Sequence, residues 1–376
     1  MSDLYENLEK LSTAAEHPRA QMDRYLSEGK KVVGCFPPFV PEELVHACGM
    51  IPMGLWGGQA VLRHAKEYLP AFACSLMQAD MEYARAGVYR GMSCVIIPAL
   101  CDTLRCMTQN WRFGVPEIPM IPVVYPQNRK NPASLDFLIS EYEQVLYLLT
   151  AHTGQMMKDR TLRETIAVYN AHNAEMRRFS ELAREHLDII TPTVRHRVMK
   201  SAWFYEKGEH TAILKEINEA LAALPPHHFT GKKVVLTGIL CEPEGILQML
   251  EDSRIAVAAD DLLQESMQYA CDTDLLKGRE LKCLAEQWGR RSGCMLIYEP
   301  GKPRGKQLAE LCRESGADGV ISCLVKFCDP DEYDQPWLKK DLEREGFPFL
   351  QIEVDQLRKE DEQLRTRIET FADMLG

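Results

Sequence analysis

Thirteen cysteines carry the most distinctive chemistry in this 376-residue chain. Five of them follow predicted strands or begin predicted helices: Cys35, Cys74, Cys101, Cys241 and Cys328. Thiolates are ligands of soft metals, and the N–H groups at the start of a helix favour the thiolate form. Core packing explains any one of these cysteines taken alone, because cysteine is among the most buried residue types. Taken together, the five predict a thiolate metal site.

The spacing of the cysteines bears on which metal they would bind. Zinc ribbons have paired C-x₂-C steps, and no such pair occurs in this chain. The nearest neighbours are Cys101 with Cys106, and Cys323 with Cys328, each pair five residues apart. Ligands spread over roughly 250 residues are typical of a cleft formed on folding, in which cysteine thiolates hold an iron–sulfur cluster. The residues alone favour such a cluster and leave zinc as the second possibility.

Composition and motifs exclude several classes of protein. The net charge of −11 argues against nucleic acid or an anionic membrane surface as the main partner. No run approaches the ~18 consecutive apolar residues of a membrane span, and no secretory signal is visible, so we expect a cytoplasmic protein. A reducing cytoplasm disfavours disulfides. The sequence lacks the G-x-G-x-x-G and G-x-x-x-x-G-K-[ST] nucleotide motifs and the G-x-S-x-G of hydrolases.

Short apolar runs rich in valine and isoleucine alternate with helical segments and would position the cysteines. In the first block, strands are expected at 31–35, 51–55, 93–98 and 118–124. The prolines in the last of these predict an edge strand. In the last block, strands are expected at 232–238, 255–260, 294–298, 319–325 and 348–355. Strands that alternate with helices indicate parallel βαβ units with right-handed crossovers.

Between the two blocks, apolar residues recur at helical spacing, as in Leu138, Tyr142 and Val145, until Pro225-Pro226 ends the pattern. The predicted fold is therefore α/β, with two Rossmann-like parallel-sheet domains joined by a helical subdomain. The predicted bounds are 1–133, 134–225 and 226–376. In open parallel sheets, ligands bind beyond the carboxyl ends of the strands. The five cysteines are expected at those edges.

Four segments resemble the β-type subunits of the 2-hydroxyacyl-CoA dehydratase family, to which benzoyl-CoA reductase subunits are related. In chain order they are PEELVHACG at 41–49, CDTLR at 101–105 with QNW at 109–111, KFCDP at 326–330 with PWLK and GFP behind it, and LRTRIETF at 364–371. The segments span nearly the whole chain in the order that the family shows. The third and fourth are the most specific.

The resemblance implies a [4Fe–4S] cluster held between the two α/β domains. Carried over residue by residue, the family's ligands correspond to Cys74, Cys101 and Cys328. Cys74 is matched by its position alone, without a distinctive neighbourhood. Further thiols would serve as a fourth ligand or lie beside the cluster, and the sequence does not choose among them; they are Cys106, Cys241 and Cys323.

The resemblance also implies partners and a reaction. A homologous α-type subunit forms a heterodimer with the β-type chain and binds most of the acyl-CoA substrate. A separate ATP-dependent iron–sulfur activator supplies one low-potential electron, which the β-type subunit relays. The resulting ketyl radical anion expels the 2-hydroxyl group, so (R)-2-hydroxyacyl-CoA loses water to give (E)-2-enoyl-CoA. A cofactor is needed because the β-hydrogen is too weakly acidic for side-chain bases alone. We thus expect an oxygen-sensitive lyase of anaerobic amino-acid fermentation.

Two alternatives stay open at the level of the sequence. One is a subunit of a benzoyl-CoA-type reductase or of a double-cubane cluster reductase, which would need more cysteine ligands. The other is a non-catalytic two-domain binding protein whose cysteines are core residues. The acyl group also stays open among lactoyl, 2-hydroxyglutaryl, phenyllactoyl and 2-hydroxyisocaproyl.

Overall fold

Two parallel sheets with the same strand order organise the computed structural model, which describes residues 2–158, 161–276, 278–358 and 362–375. The strands of the first sheet are β1 (Val32–Cys35), β2 (Ile51–Gly54), β3 (Cys94–Pro98) and β4 (Met120–Val123). Those of the second are β5 (Lys232–Gly238), β6 (Ile255–Leu262), β7 (Gly319–Val325) and β8 (Phe349–Val354). Within the described ranges the orders are β2-β1-β3-β4 and β6-β5-β7-β8. The predicted α/β fold is confirmed.

Helices cover these sheets and fill the middle of the chain. The first block contains α1 (Ser2–Glu16), α2 (Pro18–Ser27), α3 (Glu42–Ala47), α4 (Ser75–Arg85) and α5 (Asp102–Gly114). The middle contains α6 (Ala133–Thr153), α7 (Thr161–Glu185), α8 (Pro192–Ser201) and α9 (Lys207–Ala222). The last block contains α10 (Gly245–Asp252), α11 (Glu280–Arg290), α12 (Arg304–Ser315), α13 (Asp329–Arg344) and α14 (Glu362–Met374). Among the described helices, none combines the length and apolarity needed to cross a membrane.

The sequence pattern agrees with the positions of β2, β3 and β4 in the first sheet. The central strand β3 is buried throughout, as expected where helices cover both faces of a parallel sheet. Strand β4 lies at the edge, as its prolines predict, since Pro122 has no N–H to donate to a further strand. Pro52 lies in β2, at the opposite edge of the same sheet.

The middle block is helical, as predicted, and α9 ends before the Pro225-Pro226 stop. Its core receives the N-terminal helix α1, whose Leu4, Leu8 and Leu11 are buried with Phe179 of α7 and Leu214 of α9. A part of the chain that precedes the first sheet therefore packs on the central helices. The predicted domain bounds at 133 and 225 remain predictions.

One predicted strand, at 294–298, is wrong. The segment forms a turn, in which the backbone N–H of Ile297 donates to the carbonyl of Cys294 at 3.0 Å. Its side chains from Cys294 to Ile297 are buried in the main hydrophobic core without joining a sheet, and Tyr298 is exposed. Short apolar runs of this kind have the same composition as a buried strand, so hydrophobic periodicity does not separate the two.

Gly238, at the carboxyl end of β5, provides a test of how closely the strands approach. Its φ is +134°, and a Cβ there would lie 2.4 Å from the carbonyl oxygen of Cys323 in β7. We expect Gly238→Ala to lower the free energy of unfolding by at least about 3 kcal/mol, since backbone strain adds to a clash with backbone. Urea-induced unfolding followed by circular dichroism measures the effect.

The matched control is Gly289→Ala in α11, where an added Cβ meets no atom within 4 Å. Alanine is a better helix former than glycine, so this variant should be as stable as the parent or about 0.5–1 kcal/mol more stable. Equal stability of the two variants would contradict the close approach of β5 and β7.

Candidate metal centre

Three cysteines lie at the N-terminal ends of three helices. Cys74 precedes α4, Cys101 precedes α5, and Cys328 precedes α13. Cys101 follows β3 and Cys328 follows β7, so both are at carboxyl ends of strands, as predicted. Each helix directs its free N–H groups and the positive end of its dipole towards the preceding cysteine. Backbone geometry therefore favours negative charge at all three sulfurs.

The three cysteines line one cavity of about 50 Å³, here called the cysteine cavity. The other described lining residues are all apolar: Pro37, Pro38, Trp56, Leu76, Met77, Leu104, Ile239, Leu263, Leu296 and Val325. Cys74 and Cys101 come from the block of the first sheet, and Cys328 comes from that of the second. The cavity thus lies between the two sheets, beyond the carboxyl ends of their strands. Ligands of open parallel sheets bind at such ends, which is here called the strand-end rule.

Burial opposes ionisation of these thiols. It raises the pKa of Cys74 to about 12, raises that of Cys101, and raises that of Cys328 well above its ordinary value. Backbone N–H groups three residues on, at Met77, Leu104 and Asp331, act in the opposite direction. The N–H of Leu104 donates to Cys101 Sγ at 3.4 Å. Without a metal the three are neutral thiols, and binding of a metal would displace their protons.

The cysteine cavity fits a polynuclear cluster better than a single ion. Within the described ranges, no group of three or more His, Cys, Asp or Glu side chains is arranged to hold one metal ion. The thiols instead surround a space, and the ligands of an iron–sulfur cluster bind different irons around an inorganic core. All ligand atoms in the described lining are sulfur, and the remaining wall is apolar. This donor set matches iron–sulfur chemistry; thiolates also bind zinc, so the arrangement of the groups, and not their type, disfavours a single zinc ion.

The other candidate thiols do not line the cysteine cavity. Cys35 is buried at the end of β1, and Cys106 is exposed on α5. Cys241 and Cys323 are buried together, and their contact, along with burial, raises the pKa of the Cys241 thiol. The structure therefore brings together three of the predicted cysteines and leaves four apart from them.

The sequence analysis did not identify the apolar residues that line the cysteine cavity. Trp56, two residues beyond β2, lines the cysteine cavity on one side and a groove of about 830 Å³ on the other, here called the Trp56 groove. Pro37 and Pro38 follow β1 and line the cysteine cavity. The strand-end rule, applied to every residue type rather than to cysteine, would have identified these positions.

A buried charge cluster lies beside the Trp56 groove. Glu242, which lines the groove, accepts hydrogen bonds from Lys200 and Gln356. His196 lies 3.3 Å from Glu242 and 2.8 Å from Glu265. Burial lowers the pKa of His196, but the bonds to Glu242 and Glu265 outweigh it and raise the pKa to about 9. The His196 imidazolium therefore lies between two buried acidic side chains, which also pair with Lys200 and Arg195.

Comparisons with known proteins show the family of this chain. The family model for 2-hydroxyglutaryl-CoA dehydratase, D-component, matches residues 37–375. The (R)-phenyllactyl-CoA dehydratase beta subunit of Clostridium sporogenes is 41% identical over 96% of each chain. The lactoyl-CoA dehydratase subunit beta of Anaerotignum propionicum is 40% identical, and the (R)-2-hydroxyglutaryl-CoA dehydratase subunit beta of Acidaminococcus fermentans is 38% identical, each over the full length of both chains.

The chain belongs to the D-component family of 2-hydroxyacyl-CoA dehydratases, which are hydro-lyases. Its similarity is to the β subunits, so the predicted family, subunit type and enzyme class are confirmed. The comparisons do not fix the acyl group, because relatives that act on three different thioesters are similarly distant from this chain.

The buried imidazolium predicts a pH dependence of stability. The folded pKa of His196, about 9, lies above its ordinary value of 6.5, so its stabilisation is complete below pH 6.5 and is lost as pH rises through 9. The loss amounts to roughly 3 kcal/mol at most. Urea-induced unfolding at pH 6.5 and pH 9.5 should show a smaller pH-dependent loss in His196→Gln than in the parent.

The control is His228→Gln, a change at an exposed position. This variant should retain the pH dependence of the parent. Ionisation of cysteines in the unfolded state contributes equally to all three proteins, so the difference between variants isolates His196. The same pH dependence in His196→Gln as in the parent would contradict a charged His196.

Proposed function

We propose that this chain is the electron-relaying β subunit of an oxygen-sensitive (R)-2-hydroxyacyl-CoA dehydratase, and that Cys74, Cys101 and Cys328 hold its [4Fe–4S] cluster. The observation that carries the proposal is the convergence of three thiols, remote in sequence, on one apolar cavity. When bound, the cluster would take up and pass on single electrons at low potential. The subunit thereby contributes to the conversion of the thioester to (E)-2-enoyl-CoA.

The chain's own residues suit this role in two ways. The apolar wall of the cysteine cavity, which includes Leu104, Ile239 and Val325, keeps water from the sulfurs. The N-terminal ends of α4, α5 and α13 offset the negative charge that three thiolates bring into that wall. Hydrogen bonds, burial and solvent access are the means by which a protein sets the potential of such a cluster.

The cysteine cavity itself does not admit an acyl-CoA: at about 50 Å³ it is far smaller than the roughly 300–1,000 Å³ of typical small-molecule sites. The neighbouring Trp56 groove, at about 830 Å³, falls within that range, so the division of labour between subunits is inferred from the family and not from pocket size. We infer that a homologous α-type subunit binds most of the acyl-CoA and forms a heterodimer with this chain. An ATP-dependent iron–sulfur activator would supply the electron. The names of the relatives as β subunits support a multi-subunit enzyme.

The reductase alternative receives less support from the site. A double-cubane cluster requires more cysteines than the three in the described lining of the cavity. Family membership argues against the non-catalytic binding protein.

Replacement of single ligands tests the cluster. After anaerobic purification or reconstitution, the parent should contain about four irons and four acid-labile sulfides per chain, as one [4Fe–4S] cluster requires. Cys101→Ser and Cys328→Ser should each lose most of the iron and the brown absorbance, because a hydroxyl is a poor ligand for iron–sulfur clusters. Iron, sulfide and visible absorbance are measured under anaerobic conditions.

Cys106→Ser is the matched control, since Cys106 is exposed on α5, one and a half turns from Cys101. It should retain the iron content of the parent. An iron-free parent, or full iron content in Cys101→Ser, would contradict the assigned ligands.

Reconstitution of the complex tests the reaction. The β-type chain alone should not dehydrate any 2-hydroxyacyl-CoA. Activity should require the α-type subunit, the activator and ATP together. Lactoyl-, phenyllactoyl-, 2-hydroxyglutaryl- and 2-hydroxyisocaproyl-CoA are then compared by kcat/KM, with formation of the 2-enoyl-CoA followed by chromatography. Activity of the complete mixture in which Cys328→Ser replaces the parent chain would contradict the relay.

A further inference from the structure

The proposed ligands come from two separate parts of the fold, so their spacing depends on how those parts are joined. Cys74 and Cys101 belong to the block of the first sheet, whereas Cys328 follows β7 of the second. A cluster binds tightly only where all its ligands are held at the right separation, and a site that is slightly too loose loses its metal more readily. Some contact near the cavity has to fix the two blocks relative to each other.

Gln356 makes such a contact. It lies just beyond β8 and is 2% exposed. Its Nε2 donates to the backbone carbonyl of Trp56, in the first block, at 2.9 Å. The same nitrogen donates to Glu242 Oε2, in the second block, at 2.5 Å. One side-chain amide therefore joins the ends of strands from both sheets.

In the first block, the Gln356 contact is connected to Cys74 through Trp56 and its neighbour Gly57. Trp56 lines the cysteine cavity beside Cys74. The N–H of Gly57, the next residue, donates to Asp80 Oδ1 at 3.1 Å, and Asp80 is a buried residue of α4, the helix that Cys74 precedes. Gly57 has a φ of +62°, and a Cβ there would lie 2.8 Å from Gln356 Oε1. A side chain at 57 would therefore press on the amide of Gln356, and the positive φ also favours glycine there.

In the second block, Gln356 is connected to Cys328 through the pairing of β8 with β7. Strand β8 pairs with β7, with Val354 opposite Val325. Beyond that pair, the N–H of Lys326 donates to the carbonyl of Val354 at 3.0 Å, and the N–H of Cys328 donates to that of Val325 at 2.9 Å. The segment that carries Cys328 is therefore tied by backbone hydrogen bonds to the strand that ends just before Gln356.

Glu242 anchors the contact in the helical block. Lys200 of α8 donates to Glu242 Oε1, and His196 of the same helix lies 3.3 Å from that oxygen. Burial raises the pKa of Glu242, but Lys200 and His196 reverse the effect and hold it below its ordinary value. The acceptor of Gln356 is therefore an ionised carboxylate, and hydrogen bonds to ionised groups are the stronger ones.

We propose that Gln356 is a positioning residue, which fixes Cys328 relative to Cys74 and Cys101 and so sets how firmly the cluster is held. The proposal rests on the proposed function, since it presumes a cluster on those three cysteines. It assigns Gln356 no contact with the cluster or with substrate.

The test is the rate of iron loss from Gln356→Met. Methionine has nearly the volume of glutamine but donates no hydrogen bond, so the packing is kept and both bonds are removed. Reconstituted holoprotein is mixed anaerobically with an iron chelator, and loss of visible absorbance is followed. We expect iron to leave at least about tenfold faster than from the parent, because the variant loses both a neutral and a charge-assisted hydrogen bond. The electron paramagnetic resonance spectrum of the reduced protein should also change.

The control is Arg129→Ala, which removes another contact between the two blocks. Arg129 Nη1 donates to the carbonyl of Trp288 at 3.1 Å, and Arg129 does not line the cysteine cavity. This variant should lose thermal stability and yet release iron at the parental rate, with an unchanged spectrum. Equal iron release by both variants, or release that simply follows their melting temperatures, would overturn the positioning role of Gln356.

A second variant approaches the same contact from the other side. Gly57→Ala places a methyl group against Gln356 Oε1 and should also accelerate iron release. Parental rates in both Gln356→Met and Gly57→Ala would overturn the inference while leaving the cluster in place. A parent that binds no iron after anaerobic reconstitution would instead refute the proposed function on which the inference rests.

Discussion

Three thiols share one small apolar cavity, and this burial makes their ionisation unfavourable. The rest of the site depends on how that penalty is reduced. Burial disfavours the thiolate form of each, most strongly for Cys328. The helix N-termini reduce this penalty but do not remove it. Thiols in this environment are inert until a positively charged centre compensates for their ionisation. The cavity therefore suits the cationic metal centre that we propose, and burial disfavours these cysteines as free nucleophiles.

The second constraint is that the proposed metal centre would have to be bound by ligands from both sheets. Both sheets have the same strand order, and each directs the carboxyl ends of its strands at the cavity. Neither sheet alone provides three cysteines to the cavity. The contacts between the two blocks therefore contribute directly to the site, and the buried cluster of Glu242, His196 and Lys200 connects those contacts to the central helices. Ionic contacts of this kind are directional and specify one arrangement, although their net contribution to stability is modest.

The chemistry of the family explains why the chain has cysteines where other enzymes have acids and bases. Removal of water from a 2-hydroxyacyl thioester requires loss of a hydrogen that no side chain is basic enough to abstract unaided. A low-potential electron changes that acidity, and the demand on the protein shifts from proton transfer to holding and insulating a redox centre. In the proposed function, a small apolar cavity that carries three thiols would meet this demand.

The sequence by itself determined the eight described strands, the helical middle of the chain, the positions of Cys74 and Cys101 at helix starts, and the position of Cys328 after a strand. These follow from local periodicity, and from the rule that parallel strands present their carboxyl ends to a ligand. The turn at 294–298 escaped this reasoning, because a short apolar run buries equally well as a strand or as a turn. The sequence also left Cys106, Cys241 and Cys323 open as a fourth ligand or as thiols beside the cluster. Only the tertiary structure showed that these three do not line the cysteine cavity. The direction of a side chain depends on contacts between residues that are hundreds of positions apart in the sequence. Gln356 is the clearest case. Nothing in its neighbours along the chain signals a role, and the proposed role rests on its hydrogen bond to Trp56, 300 residues away.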